Sequence, residues 1–123
     1  ETDFIRIRSH MTLGDLITII SSARRNIFPV IDDFGRLLGV VQLDDLRKDM
    51  FKREKYGNSV MTYMIQPPDR ILQHESIPSI LPKFEDGRTW MLPVVDKENR
   101  YLGFISKSRI LNAYREQLVK IQQ

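Results

Sequence analysis

Apolar positions follow the same order twice along this chain. In each half, four apolar residues at i, i+3, i+4 and i+7 predict a helix with one buried face; they are Leu13, Leu16, Ile17 and Ile20, then Ile77, Ile80, Leu81 and Phe84. Thr12 and Ser76 precede these helices at N-cap positions, where a hydroxyl accepts a hydrogen bond from a free backbone amide. Asp15 is placed to complete a capping box with Thr12.

Two apolar runs follow each predicted helix. They cover residues 27–31 and 37–41 in the first half, and 91–95 and 101–105 in the second. Because the runs are continuous rather than alternating, they predict strands that are covered on both faces. Gly35 and Asn99 lie at the same position of the connecting turns, and both residue types tolerate a positive φ angle, which predicts two hairpins.

The outer elements complete one plan in each half: strand, helix, strand, strand, helix. Short strands are predicted at residues 3–8 and 69–72, and closing helices at 44–54 and 107–121. The apolar stripe of the last helix comprises Ile110, Leu111, Tyr114 and Leu118. Residues 56–68 contain Gly57-Asn58 and Pro67-Pro68 and predict a linker, with a helical turn at 60–64. The predicted domains are therefore 1–55 and 69–123, joined by 56–68.

The two halves align without a gap at an offset of 64 residues, from Arg6 and Arg70 to Leu46 and Ile110. A unit this short rarely buries its own apolar face. We therefore expect an α/β (α+β) fold of two pseudo-symmetric β-α-β-β-α subdomains, packed through their sheets, with function in the clefts between them. The counterpart of Val60 falls before residue 1, so we expect the first copy to be trimmed at its start and the chain to be a piece of a larger protein.

Composition narrows the class of protein. The 123 residues are 41% hydrophobic and 28% charged, which is ordinary for one globular domain. The absence of cysteine excludes disulfides, thiolate zinc sites and thiol catalysis. No apolar run approaches the roughly 20 residues that span a bilayer, and no signal peptide is visible, so we expect the fragment itself to be soluble.

Charge is mildly positive and mostly interleaved. The formal net charge is +3, and the 19 basic residues alternate with 16 acidic ones, which argues against a nucleic-acid partner. Only residues 47–55 concentrate cations, with five basic and two acidic residues. Cations at a helix end that complement the helix dipole are the favoured interpretation; an anion-binding or lipid-facing patch is the alternative.

A repeated motif carries a family resemblance. In each copy a Pro-Val-Val/Ile-Asp strand is followed by a turn and by a second strand with a central glycine, which runs into a helix; these are residues 29–32 with 37–41, and 93–96 with 101–105. The arrangement resembles the tandem CBS domain pair, or Bateman module, and Val-Met-Thr at 60–62 fits the entry to the second copy. Residues 43–51 resemble the first CBS domain at the cytoplasmic C-terminus of prokaryotic ClC-type chloride channels and transporters.

The resemblance implies a regulatory, non-catalytic pair on the cytoplasmic side of the cell membrane, within an integral membrane protein that transports chloride. It further implies a homodimer, a membrane transport domain in the same polypeptide, no required cofactor, and an adenine nucleotide (ATP, ADP or AMP) as ligand. The chain has no Ser/His/Asp, Cys/His or metal-ligand spacing, so no catalytic residue and no metal ligand is predicted. Two alternatives stay open: a soluble nucleotide-sensing CBS protein or regulatory insert of an enzyme, and a ligand-free dimerisation module.

The family holds nucleotide where the last strand enters the last helix, at a Gly-h-h-Thr/Ser-x-x-Asp pattern in which h is apolar. Each copy here has lost one of the two polar groups. The first copy keeps the carboxylate as Asp45, but Gln42 replaces the hydroxyl; the second keeps the hydroxyl as Ser106, but Arg109 replaces the carboxylate. The predicted ligand-binding residues are Gly39, Gln42, Asp45, Gly103, Ser106, Lys107 and Arg109.

The two helix starts also differ in charge, since one offers Asp44 and Asp45 and the other Lys107 and Arg109. We therefore expect one asymmetric site, with Asp45 on a ribose or with the two cations on phosphates. The alternative is that these groups only cap helices.

Trp90 and the two histidines are further candidates for a functional role. Trp90 is suited to stack on a base, although an aromatic residue at this position more often fills an interface between the copies. His10 and His74 share the 64-residue offset, and two loop residues before helix caps are favoured over a paired metal or pH site.

Overall fold

The two halves of the pattern fold into two units, Glu1–Gln66 and Pro67–Gln123. The computed structural model describes residues 5–122. Each unit has a three-stranded sheet with helices, so the predicted mixed α/β class is confirmed. The start of the predicted strand at 3–8 lies outside the described residues.

The first unit contains three strands and two helices. In chain order they are β1 (Ile7–Arg8), α1 (Leu13–Ile20), β2 (Ile27–Ile31), β3 (Leu37–Gln42) and α2 (Leu43–Leu46). Two 3₁₀ turns follow, at Arg53–Lys55 and Val60–Thr62. The capping box at α1 is confirmed: the Asp15 amide donates to Thr12 Oγ1 at 3.3 Å, and the Thr12 amide donates to Asp15 Oδ2 at 3.0 Å.

The second unit repeats the plan with longer helices. Its elements are β4 (Ile71–Leu72), α3 (Ile77–Gly87), β5 (Met91–Val95), β6 (Tyr101–Ser106) and α4 (Lys107–Gln122). Ser76 caps α3 as predicted, since its hydroxyl accepts from the Ser79 amide. Among residues 5–122, no helix is both long enough and apolar enough to cross a membrane.

The sheets share one topology and one register. The first strand of each sheet pairs in parallel with the second, and the second pairs antiparallel with the third. Both antiparallel pairs shift register at the same place, between Val30 and Ile31 and between Val94 and Val95. The sequence repeat therefore extends to the irregularities of the hairpins.

The predicted turn residues are confirmed, and each turn carries an acid–arginine pair. Gly35 and Asn99 have φ angles of 81° and 63°. In the second turn, Asp96 accepts from the amides of Glu98 and Arg100 at 2.9 Å and from Arg100 Nε at 2.7 Å. The hydrogen bond that the Arg100 backbone amide donates lowers the pKa of Asp96, and the Arg100 guanidinium lowers it further. Asp32 and Arg36 repeat these contacts in the first unit.

Each unit has its own apolar core. The first core is built on residues that are almost fully buried: Ile7, Leu13, Leu16, Ile20, Phe28, Val30, Val41, Leu46, Val60 and Tyr63. The second core is smaller and comprises Ile71, Ile80, Phe84, Leu92 and Ile110. Of the predicted stripe on α4, Ile110 is buried, whereas Leu111 and Leu118 are exposed.

The first unit departs from the predicted plan after β3. The helix predicted at 44–54 is wrong in length, because α2 ends at Leu46 and turns follow it. The turns let the Asp49 side chain receive a hydrogen bond from Tyr63, and the Met50 carbonyl receive one from Tyr56. These long-range contacts outweigh the local helix propensity. Residues 56–66, predicted as linker, pack within the first unit, where Val60 is fully buried.

Candidate functional site

A surface cleft of about 330 Å³ opens in the first unit beside α2. One wall comes from α2 and the turn after it, and the other from the end of the 3₁₀ turn at Val60–Thr62 and the segment that follows it. The lining residues are Asp44, Asp45, Lys48, Thr62, Tyr63 and Ile65. The cleft therefore joins the predicted helix start to the segment that is predicted as a linker.

The second wall is fixed by a short antiparallel contact with β3. The Val40 amide donates to the Ile65 carbonyl at 2.8 Å, and the Ile65 amide donates to the Val40 carbonyl at 2.8 Å. The glycine at position 39 makes this approach feasible, since a Cβ there would lie 2.7 Å from the Ile65 carbonyl oxygen and 2.7 Å from Met64 Cγ. Gly39 thus admits the protein's own backbone beside β3.

Tyr63 fixes the same wall to the core of the first unit. Its ring is buried in the first core, and its hydroxyl donates to Asp49 Oδ2 at 2.8 Å and accepts from Asn58 Nδ2 at 3.0 Å. Burial raises the pKa of Tyr63, and the neighbouring Asp49 carboxylate raises it further. The phenol is therefore neutral at physiological pH and holds the wall in one position.

The rim of the cleft carries both signs of charge. Asp44 is paired with Arg47, whose Nε lies 3.1 Å from Asp44 Oδ1. Asp45 is exposed, and no side-chain hydrogen bond or ion pair within residues 5–122 engages it. An unengaged carboxylate accepts hydrogen bonds only, and two vicinal hydroxyls suit its two oxygens. Lys48 adds an exposed ammonium group on the same rim.

The remaining predicted residue of the first unit lies apart from this lining. Gln42 ends β3 and is exposed; it occupies the N-cap position of α2 without making a side-chain cap. Neither Gln42 nor Gly39 lines the cleft.

The predicted residues of the second unit lie at the junction of β6 and α4. Gly103 has a φ angle of 154°, and a Cβ there would meet open space. The Ser106 hydroxyl accepts from the Arg109 amide at 3.2 Å and lies 3.2 Å from the Ser108 hydroxyl, so it acts as a cap. The Arg109 residue is exposed.

Lys107 is engaged by its own unit. Its ammonium lies 2.9 Å from Glu85 Oε1 and 5.1 Å from the centre of the Trp90 ring, while its amide donates to the Trp90 carbonyl at 2.8 Å. These contacts leave Lys107 less available to a phosphate than the sequence predicts. Trp90 is 71% exposed.

A second cleft, of about 370 Å³, lies beside the β5–β6 turn and is lined by Gln73, His74, Asp96, Lys97, Glu98 and Arg100. The Asp96 carboxylate already accepts three hydrogen bonds within the turn. Within residues 5–122, no group of three or more His, Cys, Asp or Glu side chains is arranged to hold a metal ion.

Sequence reasoning found Asp45 but missed the residues that face it. Lys48, Thr62, Tyr63 and Ile65 line the cleft with it. The only sequence signal for them was the fit of Val-Met-Thr at 60–62 to the start of a repeat. The pairing of Ile65 with Val40 has no local signature.

Comparison with known proteins identifies the family and the fold of the chain. The family model described as the CBS domain matches residues 1–52 and 60–116. A solved CBS domain pair/ACT domain protein of Thermotoga maritima is 26% identical with a TM-score of 0.74, covering 96% of this chain and 93% of that one. The CBS domain of a bacterial CNNM/CorC family Mg²⁺ transporter in complex with ATP has a TM-score of 0.74 at 20% identity, covering 89% of this chain and 77% of that one.

Among curated relatives, the inosine-5'-monophosphate dehydrogenase of Helicobacter pylori is 30% identical over 105 residues, which are 85% of this chain and 21% of the enzyme. The chain spans 40% or less of the curated relatives it matches. CBS domains are regulatory modules. The chain belongs to the CBS domain family and carries two CBS domains in tandem.

Proposed function

We propose that this CBS pair is a regulatory module that binds an adenine nucleotide in the first-unit cleft and thereby controls an attached membrane transport domain. The observation that carries the proposal is the unengaged Asp45 carboxylate on the rim of a cleft whose opposite wall is fixed by Tyr63 and Ile65. A carboxylate in this setting is suited to the 2'- and 3'-hydroxyls of a ribose.

The other lining residues fit the remaining parts of a nucleotide. Ile65 is 41% exposed and offers an apolar surface to a base. Lys48 and the Thr62 hydroxyl are suited to phosphate oxygens. Asp44 is already paired with Arg47, which reduces its repulsion of a phosphate.

One site per chain is proposed, in the first unit. Its counterpart in the second unit has Arg109 in place of the carboxylate, and guanidinium accepts no hydrogen bond. The Ser106 hydroxyl is used as a helix cap and Lys107 is paired with Glu85. These contacts support the proposal of one asymmetric site rather than two equivalent ones.

The attachment to a transport domain is supported by the likeness of fold to the transporter CBS domain that binds ATP. Chloride as the transported ion, and the cytoplasmic side of the membrane, rest on the resemblance of residues 43–51 alone. A homodimer is proposed on the exposed apolar residues of α4, which include Leu111 and Leu118.

A second candidate is the regulatory insert of a soluble enzyme, which the inosine-5'-monophosphate dehydrogenase match favours. The two candidates share the nucleotide site and differ in the domain attached to it. Sequencing the parent gene on both sides of residues 1–123 separates them: several apolar spans of about 20 residues support the transporter, and a catalytic domain supports the enzyme.

Calorimetry with ATP, ADP and AMP tests the binding step. We expect saturable binding of at least one of the three nucleotides with one site per chain, and a rise in the melting temperature with ligand concentration. A Lys48→Gln variant should bind AMP and ATP with more similar affinities, because it removes a phosphate contact. Absence of heat and of any thermal shift at millimolar nucleotide would leave the ligand-free dimerisation module as the function.

A further inference from the structure

The loop after α2 presents cations and one phenyl ring to solvent. This basic loop comprises residues 47–55, and Phe51 within it is 86% exposed. Lys48, Lys52 and Arg53 are exposed as well, and their side chains make no hydrogen bond or ion pair with any part of residues 5–122. The interpretation as cations at a helix end applies only to Arg47 and Lys48, because α2 has four residues and ends at Leu46.

The basic loop is held in place by contacts on both sides of Phe51. Asp49 is 9% exposed, and its carboxylate accepts a hydrogen bond from the Tyr63 hydroxyl at 2.8 Å. The Met50 carbonyl accepts a hydrogen bond from the Tyr56 hydroxyl at 2.9 Å. The Lys52 amide donates to the Asp49 carbonyl at 3.0 Å, which closes a turn around the phenylalanine. The fold therefore positions Phe51 outside the core, where its ring gains little burial on folding.

An exposed aromatic ring among unpaired cations is the combination that favours adsorption to an anionic membrane surface. The ring enters the boundary between headgroups and acyl chains, and the cations contact lipid phosphates. We propose that the basic loop docks this CBS pair onto an anionic lipid surface. Each engaged Lys or Arg near such a surface strengthens partitioning about fivefold.

The surroundings of the loop favour a lipid surface over a nucleic acid. Asp45, exposed and without an ion pair in the described part of the chain, lies on the helix directly before the loop and would repel a phosphate chain that extended beyond the tip. A planar membrane contacts the tip alone. The remaining charges are interleaved at a formal net charge of only +3, so no extended cationic track is expected.

Vesicle sedimentation tests the proposal on the 123-residue chain. We expect binding to vesicles of phosphatidylcholine with an equal part of phosphatidylglycerol, little binding to phosphatidylcholine alone, and weaker binding as salt increases. Phe51→Ser should reduce binding severalfold, and the double variant Lys52→Gln/Arg53→Gln more than tenfold. Two controls should bind like the parent chain: Phe34→Ser, whose ring is 75% exposed in the β2–β3 turn, and Arg115→Gln/Lys120→Gln on α4.

A fluorescence readout reports the ring itself. In a Trp90→Phe background, Phe51→Trp should give emission that shifts to the blue with anionic vesicles and not with phosphatidylcholine. Equal binding to both vesicle types overturns the proposal, as does full binding by Phe51→Ser. If the chain binds polyuridylate and not vesicles, the proposal is overturned and the basic loop is assigned to RNA. If Phe51→Ser loses a dimer and keeps vesicle binding, the proposal is also overturned and the loop is assigned to contact with a second copy.

Discussion

Replacing Gly39 by alanine is expected to open the wall of the nucleotide cleft. The added Cβ would lie 2.7 Å from the Ile65 carbonyl oxygen, 2.7 Å from Met64 Cγ and 2.8 Å from Met64 Sδ. The methionine side chain is flexible and can turn away. The carbonyl oxygen cannot move alone, because it accepts the 2.8 Å hydrogen bond from the Val40 amide.

The size of the effect follows from these contacts. Forcing a methyl group into a packed site costs about 1–3 kcal/mol. Each of the two hydrogen bonds between Val40 and Ile65 contributes about 1 kcal/mol. With the loss of one of these bonds, the one that the Ile65 amide donates, we expect Gly39→Ala to lower the free energy of unfolding of the first unit by about 2–4 kcal/mol, with faster hydrogen exchange at the Ile65 amide.

Urea unfolding followed by circular dichroism measures the loss, and hydrogen exchange locates it. Gly57→Ala is the matched control, since a Cβ at position 57 would meet nothing within 4 Å; this change should be neutral or stabilise by up to about 1 kcal/mol. If Gly39→Ala unfolds within about 0.5 kcal/mol of the parent chain, the close packing of residues 64–65 on β3 is refuted.

Three further predictions concern single contacts. Tyr63→Phe should destabilise the first unit by about 1–3 kcal/mol in urea unfolding, since it leaves the largely buried Asp49 without its donor; an unchanged midpoint would contradict this. Because the pKa of Asp96 is lowered, the ionised carboxylate stabilises the fold above the ordinary Asp pKa of about 4, and this stabilisation is lost as pH falls through the lowered value. The stability of Asp96→Asn should therefore fall less steeply with acid than that of the parent chain. An unaltered acid profile would exclude the turn as a cause of acid unfolding. Phe84→Ala should lower the free energy of unfolding by about 3–5 kcal/mol, measured by calorimetry, whereas Trp90→Ala should lower it far less. Equal losses would show that Phe84 is not a core residue of the second unit.

Most elements of the fold were predictable because their causes are local. The caps at Thr12 and Ser76 and the turn residues Gly35 and Asn99 each depend on neighbours within four residues. The apolar spacing of α1 and α3, and the strands of both hairpins, are short-range patterns of the same kind. The duplication gave a second, independent reading of each one.

The elements that sequence reasoning missed depend on distant residues. α2 is short because the Asp49 carboxylate accepts a hydrogen bond from Tyr63, which lies 14 residues further along the chain. The far wall of the cleft depends on the pairing of Val40 with Ile65, and Lys107 is engaged by Glu85. Such pairings have no periodicity or cap that marks them, so Asp45 was identified without the residues that face it.

We propose that Asp45 holds the ribose of an adenine nucleotide. Calorimetric titration of ATP and 2'-deoxy-ATP into the parent chain and into Asp45→Ala tests it directly. We predict that the parent prefers ATP by about tenfold or more, the value of one hydrogen bond to a charged group, and that Asp45→Ala binds both nucleotides weakly and equally. Equal affinities in the parent chain, or an undiminished preference for ATP in Asp45→Ala, would contradict the claim.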